Sequence, residues 1–384
     1  MRHVGDEERR ARLAVRHALA SAARVATPED AVRAMTVLHA TEPATVYLST
    51  WARCATVTPA EVDRSLYVDR TLVKQLAMRR TLFVFPLDLL PAVWPSASAR
   101  VAGTERARMA KDAVAAGLAD DGDAWLDEAR AAVLALLAES PDGLPATEVR
   151  QAIPMIDVKV GPAGAVWSAS RVLTHLGATG DIVRGTNAGG WHTSRPRWTR
   201  IERWLDAVPD PVASPADGYR ELVRRWLQTF GPGTEADLVW WLGSTKAVVR
   251  AALLALDAEA VSLDGGGQGW LLPDDLAEPP DPGPWAALLP VLDPTIMGWK
   301  DRDFYLGPHR EQLFDTRGNA GATAWVDGRA VGSWVQDEAG VVQLRLLEPV
   351  STRAQDDLQA EADRLTAWLG GFRVGSVYSS PAMR

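Results

Sequence analysis

Two polar side chains sit at the halt of the helical stretch between Thr36 and Arg53: His39 and Thr41, separated by Ala40 and followed by Glu42-Pro43. An unperturbed imidazole titrates near pH ~6.5, so at neutral pH it can accept a proton from a water molecule. A hydroxyl two residues away could orient that water or bind a phosphate, but it supplies no negative charge. Glu42, next to it, could. A residue before proline is pushed out of the helical region, so the pattern predicts a helix running in to about Leu38, a halt, and a second helix over Ala44–Ala52, with His39 and Thr41 at the corner. Both residues also have a purely structural reading. His39 reads equally as a buried histidine satisfied by a backbone carbonyl, and Thr41, two residues before a proline, reads as an N-cap.

A second set of residues suits phosphate binding. Arg70 and Lys74 lie one turn apart on a predicted helix beginning at Asp69 or Thr71 and running through Gln75 to Ala77. Arg79 and Arg80 precede a predicted strand, Thr81–Phe85. Arg184, Arg195, Arg197 and Arg200 bracket a predicted hairpin together with His192 and Trp198. Phosphate contacts from Lys and Arg dominate DNA affinity. The net charge of −8 argues against nonspecific nucleic-acid binding by the chain as a whole. Its distribution is uneven, however. Residues 1–100 carry 14 Lys/Arg against 10 Asp/Glu, and residues 150–203 carry 8 against 3. Residues 101–149 carry 4 against 10, and residues 204–384 carry 15 against 26. Two basic segments on an acidic body can build one positive face.

The elements that must position these residues follow from caps and periodicity. An amphipathic helix is predicted over Asp6–Ala23. Thr27-Pro28-Glu29-Asp30 and Thr58-Pro59-Ala60-Glu61 both have the form of a capping box with proline at the first helical position. The helices they open, followed by the Asp69/Thr71 helix and the Thr81–Phe85 strand, give the order of a winged helix. That order recurs. Helices over Ala124–Glu139, Pro145–Ile153 and Gly164–Leu176, the last capped by Gly177, precede strands Asp181–Arg184 and Gly190–Thr193. Helices over Tyr219–Phe230, Thr234–Leu242 and Ser244–Leu256 precede strands Val261–Leu263 and Trp270–Leu272, joined through Gly265-Gly266-Gly267. That glycine run lacks the Lys-Ser/Thr of a phosphate loop and reads as a turn. Beyond Pro-rich 277–285 the pattern becomes short strands (Ala287–Val291, Gly321–Val326, Arg329–Val335, Val341–Leu347) closed by a helix, Ser351–Leu369. The expected class is α+β: three tandem winged-helix units and a C-terminal β-rich domain closed by a helix. The expected domains are 1–100, 101–205, 215–276 and 286–384.

At 384 residues the chain has ample material for a core, and 23% charged with 47% apolar residues is an ordinary globular composition. One cysteine, Cys54, excludes an internal disulfide and a Cys-based zinc site and fits a reducing compartment. The 6 histidines are scattered, so a metal site is not expected. No apolar run is long enough for a membrane span, and Asp6, Glu7 and Glu8 argue against a transit peptide. A cytoplasmic, bacterial-type, monomeric protein is expected. Most of the 16 tryptophans sit beside Leu or Val at helical spacing and read as core.

Leu38-His39-Ala40-Thr41-Glu42-Pro43, Met78-Arg79-Arg80-Thr81-Leu82-Phe83-Val84-Phe85-Pro86, Leu292-Asp293-Pro294 and Gly298-Trp299-Lys300-Asp301-Arg302-Asp303 together resemble the bacterial winged-helix family that includes the AlkZ and YcaQ DNA glycosylases. The resemblance spans nearly the whole chain. It implies a double-stranded DNA partner, alkylated or crosslinked, and hydrolysis of the N-glycosidic bond of bulky N7-alkylated purines without metal or cofactor. The family's catalytic Gln, aliphatic, Gln-or-Asp signature falls on His39-Ala40-Thr41, so both polar positions differ here. No lysine nucleophile is evident, so lyase chemistry is not expected. Two other readings remain at this stage: a winged-helix DNA binder without catalysis, acting as a lesion binder or regulator, and a winged-helix protein-interaction scaffold.

Overall fold

A computed structural model of the chain describes residues 1–160 and 166–384. The chain is α+β, with small sheets, and divides into two compact units: Met1–Asp63 with Arg220–Arg384, and Arg64–Tyr219. Among the described residues no single helix is long and apolar enough to cross a membrane.

The first unit is built around an aromatic core. Trp226, Trp299 and Trp325 are fully buried with Tyr305 and Phe230. Their rings pack edge-on or tilted at centroid distances of 5.0 Å (Phe230–Trp299), 5.3 Å (Tyr305–Trp325) and 5.7 Å (Trp299–Tyr305), the spacing at which aromatic quadrupoles attract. Gly298 is needed at this packing, because a Cβ there would sit 2.5 Å from the Phe230 ring. The short strands expected near the C-terminus form a four-stranded antiparallel sheet, Ala286–Leu289, Thr323–Val326, Arg329–Gln336 and Val342–Leu346 in that spatial order, and Thr352–Leu369 packs on it. Glu235–Leu242 opens on a complete Thr234/Asp237 capping box. It meets Lys246–Ala255 at 114° across Gly243, and the hairpin Glu259–Leu263/Gln268–Leu271 follows in the expected order. The N-terminal residues His3 and Val4 add a parallel strand to that hairpin.

The N-terminal helices are shorter than expected. Asp6–Arg16 ends seven residues before Ala23. Thr27 caps Pro28–Ala34 through the Asp30 amide, but this helix stops at Met35 instead of reaching Leu38. Thr36 takes a left-handed conformation (φ 63°), and its hydroxyl is held between Arg225 O and Thr229 Oγ1 at 3.1 and 2.9 Å. The chain therefore enters the corner as a two-residue strand, Leu38–His39, and leaves it as the helix Pro43–Arg53.

The second unit packs helices Ala99–Ala115, Gly122–Ala138, Ala146–Ala152 and Ser168–Thr179 around Leu126, Val133, Leu173 and Trp198. The predicted helix start at Gly164 lies outside the described residues. Its predicted end at Gly177 is corrected: Gly177 is inside the helix under Trp198, and the left-handed cap is Gly180 at φ 83°. The second hairpin strand is Pro196–Arg200 rather than Gly190–Thr193. It pairs with Ile182–Asn187 in register Ile182–Arg200 and Arg184–Trp198, so Gly190–Thr193 lies in the connecting loop. A third correction concerns Leu72–Ala77. It is a strand paired antiparallel with Thr81–Pro86, not the third helix of a winged unit. Leu72, Val73, Leu76 and Ala77 satisfy helical spacing on paper. Pairing with the β-rich Leu-Phe-Val-Phe run decides otherwise, since strand formation is settled by cross-strand neighbours more than by local propensity.

Candidate functional site

The His39–Thr41 corner is fixed from behind by one face of the Pro43–Arg53 helix. Thr45, Ser49 and Arg53, four residues apart and so stacked on one side, all reach the segment containing Leu292-Asp293-Pro294. Thr45 Oγ1 donates to Val291 O at 2.8 Å and Ser49 Oγ to Asp293 Oδ2 at 2.6 Å. Arg53 makes a two-pronged pair with Asp293 at 2.8 Å per prong and donates to Thr295 Oγ1 at 2.8 Å. Burial alone would raise the Asp293 pKa. The Arg53 charge and guanidinium hydrogen bonds, with Ser49 and the Thr295 amide, override it and hold the carboxylate below its usual range. His17 closes the network, with Nδ1 2.9 Å from Thr295 Oγ1 and Nε2 3.1 Å from Thr229 O. A carbonyl only accepts, so Nε2 carries the proton. Burial, then the neighbouring Arg53 charge, pushes its pKa down to about 3, so this histidine is neutral and structural.

At the corner itself His39 is buried at 8% exposure, while Thr41 is exposed. The structure corrects the capping role of Thr41. Glu42 is the N-cap (φ −96°, ψ 116°), no side chain caps the helix, and Pro43 is its first residue. The Thr41 hydroxyl is thus not consumed as the cap. Glu42 is the residue that sequence reasoning placed as a substitute charge and could not orient. Its carboxyl is buried and turned to the C-terminal segment, where Oε2 accepts from Ser376 Oγ at 3.3 Å and from the Val377 amide; burial raises its pKa despite these bonds.

The eight expected phosphate-binding cations all lie in the second unit, in different settings. Arg79 and Arg80 form the turn of the first hairpin, both left-handed at φ 54° and 59° and both exposed. Such a turn ordinarily takes Asn or Gly. Two arginines there store about 1 kcal/mol or more each of backbone strain. Arg80 Nε lies 3.1 Å from Glu105, itself almost fully buried. Lys74 donates to Tyr67 Oη at 2.6 Å and shares a narrow crevice with Arg184. Arg195 is exposed; its backbone amide donates to Asn187 Oδ1 and its carbonyl accepts from the Ala188 amide. The other four have clear structural contacts. Arg70 donates to Trp204 O at 2.7 Å and lies over that indole. Arg184 lies over Trp198 and is half-buried, and this desolvation lowers its pKa. Arg197 donates to Asp142 O and Gly143 O at 2.9 and 2.7 Å, and Arg200 pairs with Glu202. Arg302, outside this set, lies over Trp240 and Phe314 and donates to Trp299 O.

A fold of this composition, with a buttressed corner in one unit and an arginine-tipped hairpin in the other, has known counterparts. A sequence model of the AlkZ-like DNA glycosylases matches residues 32–368. The chain belongs to the AlkZ-like DNA glycosylase family. The solved structure of Streptomyces sahachiroi DNA glycosylase AlkZ is similar, with a TM-score of 0.75 and 18% identity over 95% of this chain and 97% of that one, which establishes a shared fold. No curated protein sequence matches.

Proposed function

We propose that this protein hydrolyses the N-glycosidic bond of alkylated purines in duplex DNA, with His39 at the reacting centre and Thr41 beside it. An N7-alkylated purine is already a cationic leaving group. The protein then has only to place a water at the anomeric carbon and support an oxocarbenium-like sugar. His39 accepts the proton of that water, and the Thr41 hydroxyl orients the water or the adjoining phosphate. The observation carrying this reading is the buttressed corner inside the matched family region: a helix held from behind by three buried side-chain anchors, with a Thr41 hydroxyl at its start that is not used as a cap. Arg79, Arg80, Arg195 and Lys74 are proposed to hold phosphates. Arg70, Arg184, Arg197 and Arg200 are proposed to shape that face through the contacts they already make. The repeated helix–hairpin segments are read as winged-helix modules with the boundaries 1–100, 101–205 and 215–276, followed by 286–384.

A second reading, a DNA binder without catalysis, is favoured by one feature. The carboxylate at the corner, Glu42, is directed to Ser376 and Val377, away from the position a sugar cation would need it. The two readings separate on duplex DNA carrying a single N7-methylguanine. Free 7-methylguanine released by the wild type and not by His39→Ala supports the enzyme. Binding of the same duplex with no release, at micromolar protein, supports the binder.

A further inference from the structure

Beside the corner, the first unit contains a cavity of about 170 Å³ whose lining includes the anchor pair Thr45 and Val291. Its walls are mostly apolar: Leu48 from the corner helix, Val291 from the segment after the first sheet strand, Trp334 from the sheet, and Val374 and Met383 from the C-terminal segment. A volume of this size accommodates a single aromatic ring; an apolar cavity of roughly 150 Å³ takes up benzene. The one acidic group on the wall is Glu42. Two donors meet it, the Ser376 hydroxyl at a long 3.3 Å and the Val377 amide, although an ionised carboxylate has about four acceptor sites. The other charged group on the wall, Arg373, is exposed and lies in the field of Asp337, outside the apolar part. Trp334 spends its indole N–H on Leu289 O at 2.8 Å, which leaves the ring itself as wall.

A site with an apolar, aromatic-walled interior and a single under-satisfied carboxyl is complementary to a flat ring bearing one cationic nitrogen group. We infer that this cavity is a binding site for small aromatic monocations, with Glu42 as the counter-ion and Leu48, Trp334 and Met383 enclosing the ring. The burial that raises the Glu42 pKa is what a cationic partner relieves, because a buried carboxyl pays for ionisation until an opposite charge meets it. The inference is independent of whether the chain cleaves DNA.

Three probes of nearly equal shape and different charge test it on the full-length protein: benzamidine, benzamide and benzoate, titrated by ligand-observed NMR with calorimetry at neutral pH. Benzamidine should bind saturably and at least about tenfold more tightly than benzamide, with benzoate weakest. Glu42→Gln should bring benzamidine down to the level of benzamide. Leu48→Phe, which fills the cavity, should weaken benzamidine and benzamide together. Equal or tighter binding of benzoate, no saturable binding of benzamidine at millimolar concentration, or a charge preference that survives in Glu42→Gln would overturn the assignment. The ligand series on the wild-type protein stands even if either variant folds poorly.

Discussion

His39→Ala removes the group proposed to activate water while leaving the Arg53–Asp293 anchor in place. We expect base release to fall by about 10²-fold or more, with affinity for undamaged duplex within a factor of about two; single-turnover release assays alongside fluorescence anisotropy check both halves. Thr41→Val should cost less, because it removes an orienting hydroxyl and no charge. At Glu42 the folded carboxyl is protonated more readily than in the unfolded chain. A carboxyl with a raised folded pKa makes the native state relatively more stable at low pH and less so as pH rises through its titration. Glu42→Gln should therefore raise the melting temperature near pH 7 and change it little near pH 4, measured by differential scanning calorimetry. No gain at pH 7 would contradict the burial of an ionised group there. The position of the corner was legible in the sequence from the Glu42-Pro43 stop and the flanking polar pair. The direction of the Glu42 side chain was not, because it is set by Ser376 and Val377, more than three hundred residues further along the chain.

At the scale of elements, the Arg79-Arg80 turn and the Pro43–Arg53 helix make separate claims. Arg79→Gly relieves a left-handed arginine and should stabilise the fold by about 1 kcal/mol. The same change should weaken DNA binding and reduce the slope of log affinity against log salt by about one. Denaturant melts and salt-dependent anisotropy read the two effects, and a Gly variant that is more stable and binds DNA unchanged would remove Arg79 from the interface. In the corner helix, Asp293→Asn leaves Arg53 buried without its counter-charge and should cost about 3–5 kcal/mol. Arg53→Met combined with Asp293→Leu should recover much of that loss, since two apolar groups replace a desolvated pair. The hairpin was misread as a helix because Leu72, Val73, Leu76 and Ala77 fit both periods. Only the antiparallel pairing with Thr81–Pro86 resolves them, and pairing energy is not contained in either segment alone. The caps at Thr27 and Thr58 were legible because cap and partner lie three residues apart.

For the whole molecule, the order of elements could be read along the chain, and so could the β-rich region after Pro-rich 277–285. The insertion of Arg64–Tyr219 between the two segments of the first unit could not. That unit is closed by contacts such as Arg53–Asp293 and His17–Thr295, between residues 240 and 278 positions apart, which no local pattern encodes. His17 gives the first unit a pH signature. Its pKa falls from 6.5 in the unfolded chain to about 3 in the folded one. Below pH 6.5 the unfolded state gains protons that the folded state refuses, so stability from this residue is full above pH 6.5 and is lost progressively as pH falls toward 3. Acid unfolding followed by circular dichroism should accordingly begin below pH 6.5, and an uncharged residue tolerated at position 17, such as His17→Asn, should flatten that slope even if it lowers the plateau. The central claim of the proposed function is catalytic. The most direct measurement is the release of 7-methylguanine, quantified by mass spectrometry, from duplex DNA bearing that lesion. Release by the wild-type protein that requires His39 is the result expected; intact, salt-sensitive DNA binding with no base released at any pH between about 6 and 8 would contradict it.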